Sequence, residues 1–398
     1  MRRVPLLDGL RGYFLVFMLV THLFGGAYAL VRVNHAELGF VQDAQGFVFL
    51  SGLLVGAIYG RRMERHGFSG PARQMWRRAF ELYLWMIGLM LAVLVLRSIL
   101  PGAGAIWNQW LGLLPTAATP VRVAAATMLY QPTFFDILPQ YILYLAAAPF
   151  LLWLCITGRA VAVLAGSTML WLAVQLGVHL AVADVCNAVL DAWQHGLKLR
   201  AAFNPLAWQL LFFSAMALGA LWTQGRLDVG RMLDPHRPAP AIIAALVVVF
   251  FGFWRLGFTF DVVPKVMMLR FWIFENRTEF SLVFLVNFVA LAYLVAWLLV
   301  PGRESKSRTV RTASAILNGV FTLPFLRLLG RNSLPVYAWH VLVVYIAAWV
   351  DGYYGPFGDL GRSAIALVSV AVLALPAALI EWRAQRRTRR EALTVPAE

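Results

Sequence analysis

Long, unbroken apolar runs constrain this chain more than any other feature of its sequence. About ten such runs follow one another, each close to the roughly 20 residues that cross a bilayer as a helix, and few charges interrupt them. Inside lipid, only helices and closed barrels satisfy the backbone hydrogen bonds, and continuous rather than alternating apolar residues exclude a barrel. The sequence therefore predicts an all-α fold, a polytopic membrane helical bundle of about ten transmembrane helices.

Proline and glycine mark many of the span boundaries, as at Pro101-Gly102. At the sixth span, Asn204 is expected to cap the helix and Pro205 to occupy its first helical position. The predicted spans are 9–31, 41–60, 79–100, 136–156, 160–181, 205–224, 239–258, 279–300, 332–350 and 362–382.

The charges indicate the orientation. Only 13% of residues are charged and 61% are hydrophobic, whereas a soluble domain is about a quarter charged. Most of the 34 Lys and Arg residues fall on the segments that are cytoplasmic if the N-terminus is inside, so both termini are predicted to be cytoplasmic. We expect one transmembrane domain over 1–383 and a basic cytoplasmic tail over 384–398, which would meet anionic lipid. The net charge of +15 is thus a topology signal, and nucleic-acid binding is not expected.

Several classes of site are excluded. The two cysteines, Cys155 and Cys186, are too few for a disulfide framework or a cysteine-based metal site. No P-loop, GxGxxG or HExxH motif is present. We expect no metal and no tightly bound cofactor.

The first predicted span carries three ionisable residues on one face. At about 100° per residue, Arg11 lies roughly 60° from Asp8 and roughly 20° from His22. Ionisable groups inside a membrane are costly and indicate function by default. The alternative is that Arg11 only sets the topology and that His22 is buried against a neighbouring helix. Asp8 and Arg11 also interrupt the signal-peptide-like N-terminus, so we expect a retained first helix.

Two carboxylates open later spans on the predicted outer side. Asp43 begins the second span and Asp136 the fourth, where the helix macrodipole stabilises negative charge. Alternatively, one of them orients His22, which the helical rise places in the outer half of the bilayer. An imidazole with a carboxylate partner is a common general-base unit.

Further polar residues fall within apolar segments. Asn332 is expected to cap the ninth helix, and His340 could bond a backbone carbonyl freed by Pro335. The candidate substrate-binding residues are Asn204, Gln209, Asn332, Tyr337 and His340.

These residues carry a resemblance. Asp8-Gly9-Leu10-Arg11-Gly12 followed by His22 resembles the first-helix signature of the acyltransferase-3 superfamily of membrane acyltransferases. The segment 329–333 with Tyr337 and His340 resembles the late-helix pattern of the same superfamily. The segments 43–52, 135–139 and 203–209 are similar to motifs of the narrower OpgC family.

The resemblance implies a function. The OpgC family adds succinyl groups to osmoregulated periplasmic glucans of Gram-negative bacteria. The donor would be cytoplasmic succinyl-CoA, the acceptor a glucose hydroxyl of a periplasmic β-glucan, and the location the bacterial inner membrane. His22 would be the base or a transient acyl carrier, and Asp43 or Asp136 would orient His22 or the hydroxyl.

The donor phosphates would meet basic residues at the cytoplasmic mouth. The candidates are Arg11 and the basic loop from Arg61 to Arg78, with the named residues Arg61, Arg62, Arg77 and Arg78. The alternative for that loop is a purely topological role.

Two other functions stay open. One is an O-acetyltransferase that uses acetyl-CoA and another envelope polysaccharide. The other is a transporter that moves a glycan or small acid without forming bonds, which polar residues in a helical bundle would also fit. The sequence leaves the oligomeric state open.

Overall fold

The computed structural model describes residues 4–260, 262–272 and 274–393, and these residues form helices and connecting turns. Within them no β-strand occurs, only an isolated bridge between Tyr130 and Arg200. The α-helices in chain order are α1 (Pro5–His22), α2 (Asp43–His66), α3 (Ser69–Ile99), α4 (Ala103–Leu111), α5 (Thr119–Ala126), α6 (Ile137–Leu154), α7 (Ala160–Gln175), α8 (Val178–Trp193), α9 (Pro205–Thr223), α10 (Val229–Met232), α11 (Ala239–Thr259), α12 (Lys265–Trp272), α13 (Leu282–Leu299), α14 (Arg308–Phe321), α15 (Pro324–Arg331), α16 (Ser333–Tyr354), α17 (Asp359–Val372) and α18 (Leu375–Leu393).

The helices are long and apolar enough for a multi-pass membrane protein. Among the described residues, nine helical stretches meet the length and hydropathy needed to cross a bilayer, and ten do so if the bent pair α14 and α15 forms one span. The predicted all-α membrane fold is therefore confirmed.

The contacts divide the chain into two compact units. The larger contains residues 35–315, and the smaller combines the residues up to Asn34 with those from Ile316 onward. In the smaller unit, α1 therefore packs with helices that lie some three hundred residues later in the chain.

In the larger unit, α2 and α9 pack through small residues. A Cβ atom on Gly52 would overlap the backbone carbonyl of Phe212, and one on Gly56 would overlap that of Met216. Small residues let two membrane helices approach until their backbones touch.

In the smaller unit, α1 and α15 also pack closely through glycines. A Cβ on Gly12 would overlap the carbonyl oxygen of Leu326, and one on Gly330 would overlap the carbonyl oxygen of Asp8. This close packing fixes α1 against α15.

The first predicted span, 9–31, is wrong at its end. Helix α1 stops at His22, because Phe24 and Gly25 adopt left-handed backbone angles with φ of 52° and 63°. Short 3₁₀ turns follow over Leu23–Gly26, Ala29–Val33 and His35–Leu38. His22 therefore lies in the last turn of a helix rather than within one.

The predicted basic loop from Arg61 to Arg78 is also wrong as a loop. Helix α2 continues to His66 and α3 begins at Ser69, so the connection is only two residues long. A helix can continue beyond the apolar layer because charged side chains there are hydrated.

Several other boundaries differ from the prediction. Helices α6 and α7 are joined through a π-helical segment, Cys155–Arg159, in which Gly158 has φ of 98°. The predicted fifth span ends early, because Gly177 at φ of 76° separates α7 from α8. The predicted tenth span falls on α17 and α18, and the predicted tail 384–398 overlaps α18, with 394–398 outside the described residues.

Candidate functional site

His22 lies at the C-terminal end of α1, where its side chain is partly exposed. Its Nδ1 atom is 3.3 Å from Nε2 of His340 on α16, and the two ring centroids are 5.5 Å apart. The two imidazoles belong to the same compact unit, although 318 positions separate them in the sequence. The fold thus pairs the central residue of the first-helix motif with a residue of the late-helix pattern.

His340 is completely buried, and its Nδ1 atom contacts the backbone carbonyl oxygen of Tyr337. The predicted hydrogen bond from His340 to a backbone carbonyl is therefore present. However, the acceptor is the carbonyl of Tyr337, and Pro335 is not the reason that this carbonyl is available. Pro335 lies in the first turn of α16, where backbone N–H groups have no intrahelical acceptor. Tyr337 is also buried, with its ring centroid 4.7 Å from that of His340.

Arg11 also contacts α16, at the N-terminal end of that helix. Its Nη2 atom donates to the hydroxyl of Ser333 at 2.5 Å, at the first residue of α16. Arg11 and His22 both contact α16, so the predicted common face of these two residues is confirmed. The helical rise separates their backbones by about 16 Å.

Asn332 does not cap α16 with its side chain, contrary to the prediction. Its Nδ2 atom instead donates to the carbonyl of Leu328 at 3.1 Å and to Glu381 Oε1 at 3.5 Å. Glu381 also pairs with Arg331 at 3.4 Å. The nearby carboxylate draws the amide towards α18, so Asn332 joins three helices rather than capping one.

In the larger unit, Asp43 is buried at the start of α2, 3.8 Å from Nδ1 of His35. Burial lowers the pKa of His35 from 6.5 to about 4, so the ring is neutral at pH 7 and the contact is not an ion pair at that pH. The helix start is capped by neighbours: the backbone N–H of Gln42 donates to Gln45 Oε1 at 3.0 Å. The residues that cap α2 are therefore Gln42 and Gln45, and Asp43 is a buried carboxylate beside them.

Asp136 is buried just before α6. Its Oδ1 accepts the backbone N–H of Ala202 at 3.0 Å. Burial raises the pKa of Asp136, while the bond from Ala202 and the charges of Arg277 and Arg200 oppose this rise. Neither Arg277 nor Arg200 was selected in the sequence analysis.

Arg200 joins separate connecting segments of the larger unit. It donates to the carbonyls of Gln109 and Trp110 at 3.0 and 2.9 Å, and to the side chains of Tyr130 and Thr133 at 3.1 Å each. An arginine shortly before an apolar segment was the available sequence signal, but no neighbouring residue identified its acceptors.

Asn204 and Gln209 serve helix packing. The predicted cap is confirmed, since Asn204 Oδ1 accepts the N–H of Leu206 at 3.0 Å. Gln209 Oε1 accepts from the Ser167 hydroxyl at 2.6 Å, and its Nε2 donates to the Ser167 carbonyl at 2.8 Å. The two bonds of Gln209 tie α9 to α7. A role of Asn204 and Gln209 in substrate binding stays a prediction.

Gln140 is a further candidate that the sequence analysis did not select. It lies on α6, only 2% exposed. Neither of its amide atoms has a hydrogen-bond partner among the described residues. Buried amides are normally paired, so Gln140 is a candidate contact for a polar ligand.

The four arginines predicted to meet the donor lie on two helix surfaces. Arg61 and Arg62 are exposed on α2, and Arg62 donates to Gln74 Oε1 on α3 at 2.7 Å. Arg77 and Arg78 both pair with Glu81, at 3.6 and 3.1 Å. Their role in donor binding stays a prediction, as does the pairing of His22 with Asp43 or Asp136. In the part of the chain that is described, no three His, Cys, Asp or Glu side chains lie close enough to hold a metal ion.

A protein-family model described as OpgC protein matches residues 2–385. No curated protein and no solved structure matches the chain.

Proposed function

The chain belongs to the OpgC protein family, and from this premise we propose that it is a succinyl-CoA-dependent O-succinyltransferase of the bacterial inner membrane. Its acceptors are glucose hydroxyls of osmoregulated periplasmic glucans. The family match over residues 2–385 is the observation that carries the proposal. Membership of the wider acyltransferase-3 superfamily belongs to the same proposal and rests on the motif of Asp8, Arg11 and His22.

His22 is the proposed catalytic base. As the glucose oxygen attacks the thioester carbonyl, the hydroxyl proton passes to the imidazole. The C–S bond then breaks, and the proton passes from the imidazolium to the leaving CoA thiolate. The partial exposure of His22 and its contact with a buried second imidazole support this role. General acid–base catalysis of this kind contributes about 10²- to 10⁴-fold.

Arg11 and the arginines of α2 and α3 are the proposed donor contacts. Guanidinium groups bind phosphate oxygens through paired hydrogen bonds. The exposure of Arg61 and Arg62 at the end of α2 supports contact with the nucleotide of the donor. Arg11 is held by Ser333, which would orient it towards the thin pantetheine arm or the succinyl carboxylate.

The acceptor contacts are proposed among polar residues of each unit. Asp43 and Asp136 are buried carboxylates at helix N-termini and would orient the acceptor hydroxyl. Tyr337, Asn332 and the amides of Asn204 and Gln209 would contribute indirectly, since the observed bonds of those amides hold helices in place. The proposed partners are therefore an acyl-CoA, a periplasmic β-glucan and membrane lipid.

Sealed inside-out vesicles test the proposal. The purified protein is inserted, unmodified glucan is trapped in the lumen, and succinyl-CoA is added outside. We expect mass spectrometry to detect succinylated glucan in the lumen, with release of one CoA for each group transferred. Acetyl-CoA serves as the matched donor, and protein-free vesicles serve as the blank.

Three results would contradict the proposal. Faster transfer from acetyl-CoA would indicate the acetyltransferase alternative. Movement of glucan or succinate without CoA release would indicate a transporter. A requirement for donor and glucan on the same side would exclude transfer across the membrane.

A further inference from the structure

We propose that His340 is a positioning residue that selects the tautomer of His22, so that Nδ1 of His22 carries the proton and Nε2 keeps the reactive lone pair. This inference rests on the proposed function, in which His22 is the base. It assigns to His340 a role behind the reacting group instead of the substrate contact that the sequence pattern predicted.

The first step concerns the proton on His340. Its Nδ1 atom contacts the carbonyl oxygen of Tyr337. A carbonyl oxygen can only accept a hydrogen bond, so Nδ1 of His340 must carry a hydrogen. His340 is completely buried, and burying an additional charge is costly, so the ring is taken as neutral.

The second step concerns the tautomer of His22, which the tautomer of His340 determines. A neutral imidazole with a hydrogen on Nδ1 has a lone pair on Nε2. That atom of His340 lies 3.3 Å from Nδ1 of His22. A hydrogen bond between them requires the His22 atom to donate, which leaves the lone pair of His22 on its Nε2.

The third step concerns access. His340 has no exposed surface, whereas His22 is partly exposed at the end of α1. Only His22 can therefore take a proton from a substrate hydroxyl. When it does so on Nε2, its Nδ1–H continues to donate to His340, which stabilises the imidazolium until the thiolate takes the proton. Orientation of a catalytic imidazole through its second nitrogen is a general device.

Nitrogen NMR tests the tautomer directly. The full-length protein, labelled with ¹⁵N in its histidines, is measured in lipid at pH 7.5, and the His22 signals are assigned by their loss in His22→Gln. We expect a protonated Nδ1 and an unprotonated Nε2 on His22. The opposite tautomer in the wild type would overturn the proposal. Because this measurement needs no turnover, it stands even if the proposed succinyl transfer fails.

A matched pair of variants supplies the kinetic readout. His340→Gln keeps an acceptor oxygen that can reach His22, whereas His340→Leu fills a similar volume without an acceptor. We expect the Leu variant to lose about 10²-fold in kcat with little change in KM for succinyl-CoA, and the Gln variant to recover most of the rate. In NMR, the Leu variant should lose the preference for Nδ1–H on His22. Wild-type kcat in a folded Leu variant, or equal losses in both folded variants, would contradict the proposal. If the Leu variant does not fold, the wild-type spectrum decides.

Discussion

Among the histidines, His22 differs in the group that it faces. His35, His179 and His195 lie near carboxylates, at 3.8, 3.0 and 3.7 Å, whereas His22 lies near the imidazole of His340. A neutral imidazole can accept a hydrogen bond from the ring of His22 without placing a second charge beside it. This suits the proposed base, whose ring must stay oriented while it accepts and releases a proton.

Replacement of His22 tests its role at this scale. We expect His22→Ala to insert and fold normally and to reduce succinylation of the glucan by about 10²-fold or more, because the base is lost. The readout is glucan mass in the vesicle assay. His195→Ala is the matched control, since the His195 side chain is 98% exposed. Near-normal succinylation by His22→Ala would contradict the assignment.

His35 makes a second prediction, about stability and pH. Its pKa is about 4 in the folded protein against 6.5 ordinarily, because burial disfavours the charged ring. Between these values the unfolded chain binds a proton that the folded chain does not, so stability falls as the pH drops from 6.5 towards 4. The loss between pH 7 and pH 5 is about 2 kcal/mol.

Thermal unfolding in detergent measures this effect. The melting temperature of the wild type should fall more between pH 7 and pH 5 than that of His35→Gln. His195→Gln, at an exposed site, should follow the wild type. Equal pH responses of the wild type and His35→Gln would show that His35 does not titrate abnormally.

At the scale of the helix, α1 is defined by how it ends and by what it touches. Left-handed Phe24 and Gly25 end it directly after His22, so the histidine lies in the last turn of the helix. Gly12 allows the backbone of α15 to touch it. The position of the proposed base is therefore set by helix packing as well as by its own contacts.

Substitution of Gly12 tests this packing. Gly12→Ala would place a methyl group on the carbonyl of Leu326, and such overpacking costs about 1–3 kcal/mol. Gly88→Ala is the matched control on α3, because no atom lies within 4 Å of the added Cβ, and alanine favours the helix. We expect a lower melting temperature and a lower folded yield for Gly12→Ala only. Similar values for both variants would argue against tight contact at Gly12.

For the whole molecule, the distribution of basic residues predicts the orientation. Arginines cluster at the end of α2 and the start of α3, between α13 and α16, and towards the end of α18. The positive-inside rule predicts that these segments are cytoplasmic, on the side where the proposed acyl-CoA donor is made. The alternate connections, which include α4, α5 and α8, would then lie on the opposite side, with the proposed glucan acceptor.

Cysteine labelling tests this topology. After Cys155 and Cys186 are replaced, single cysteines at Gly70 and Ser307 should be shielded from a membrane-impermeant thiol reagent in spheroplasts. Cysteines at Ala192 and Gly358, which are exposed in the structure, should react. Permeabilised cells should label all four. Reaction of Ser307→Cys from outside would overturn the predicted orientation.

Local sequence patterns determined much of the protein. Apolar run length predicted the membrane helices, Asn204 with Pro205 predicted a cap, and helical periodicity predicted that Arg11 and His22 share a face. These features depend on residues a few positions apart, and lipid enforces them because an unpaired backbone group is costly there. Tertiary structure alone decided that Asn332 turns to Glu381 and that His340 lies beside His22. Such contacts join residues far apart in the chain, and helical periodicity shows which face of a helix is buried but not which helix will cover it.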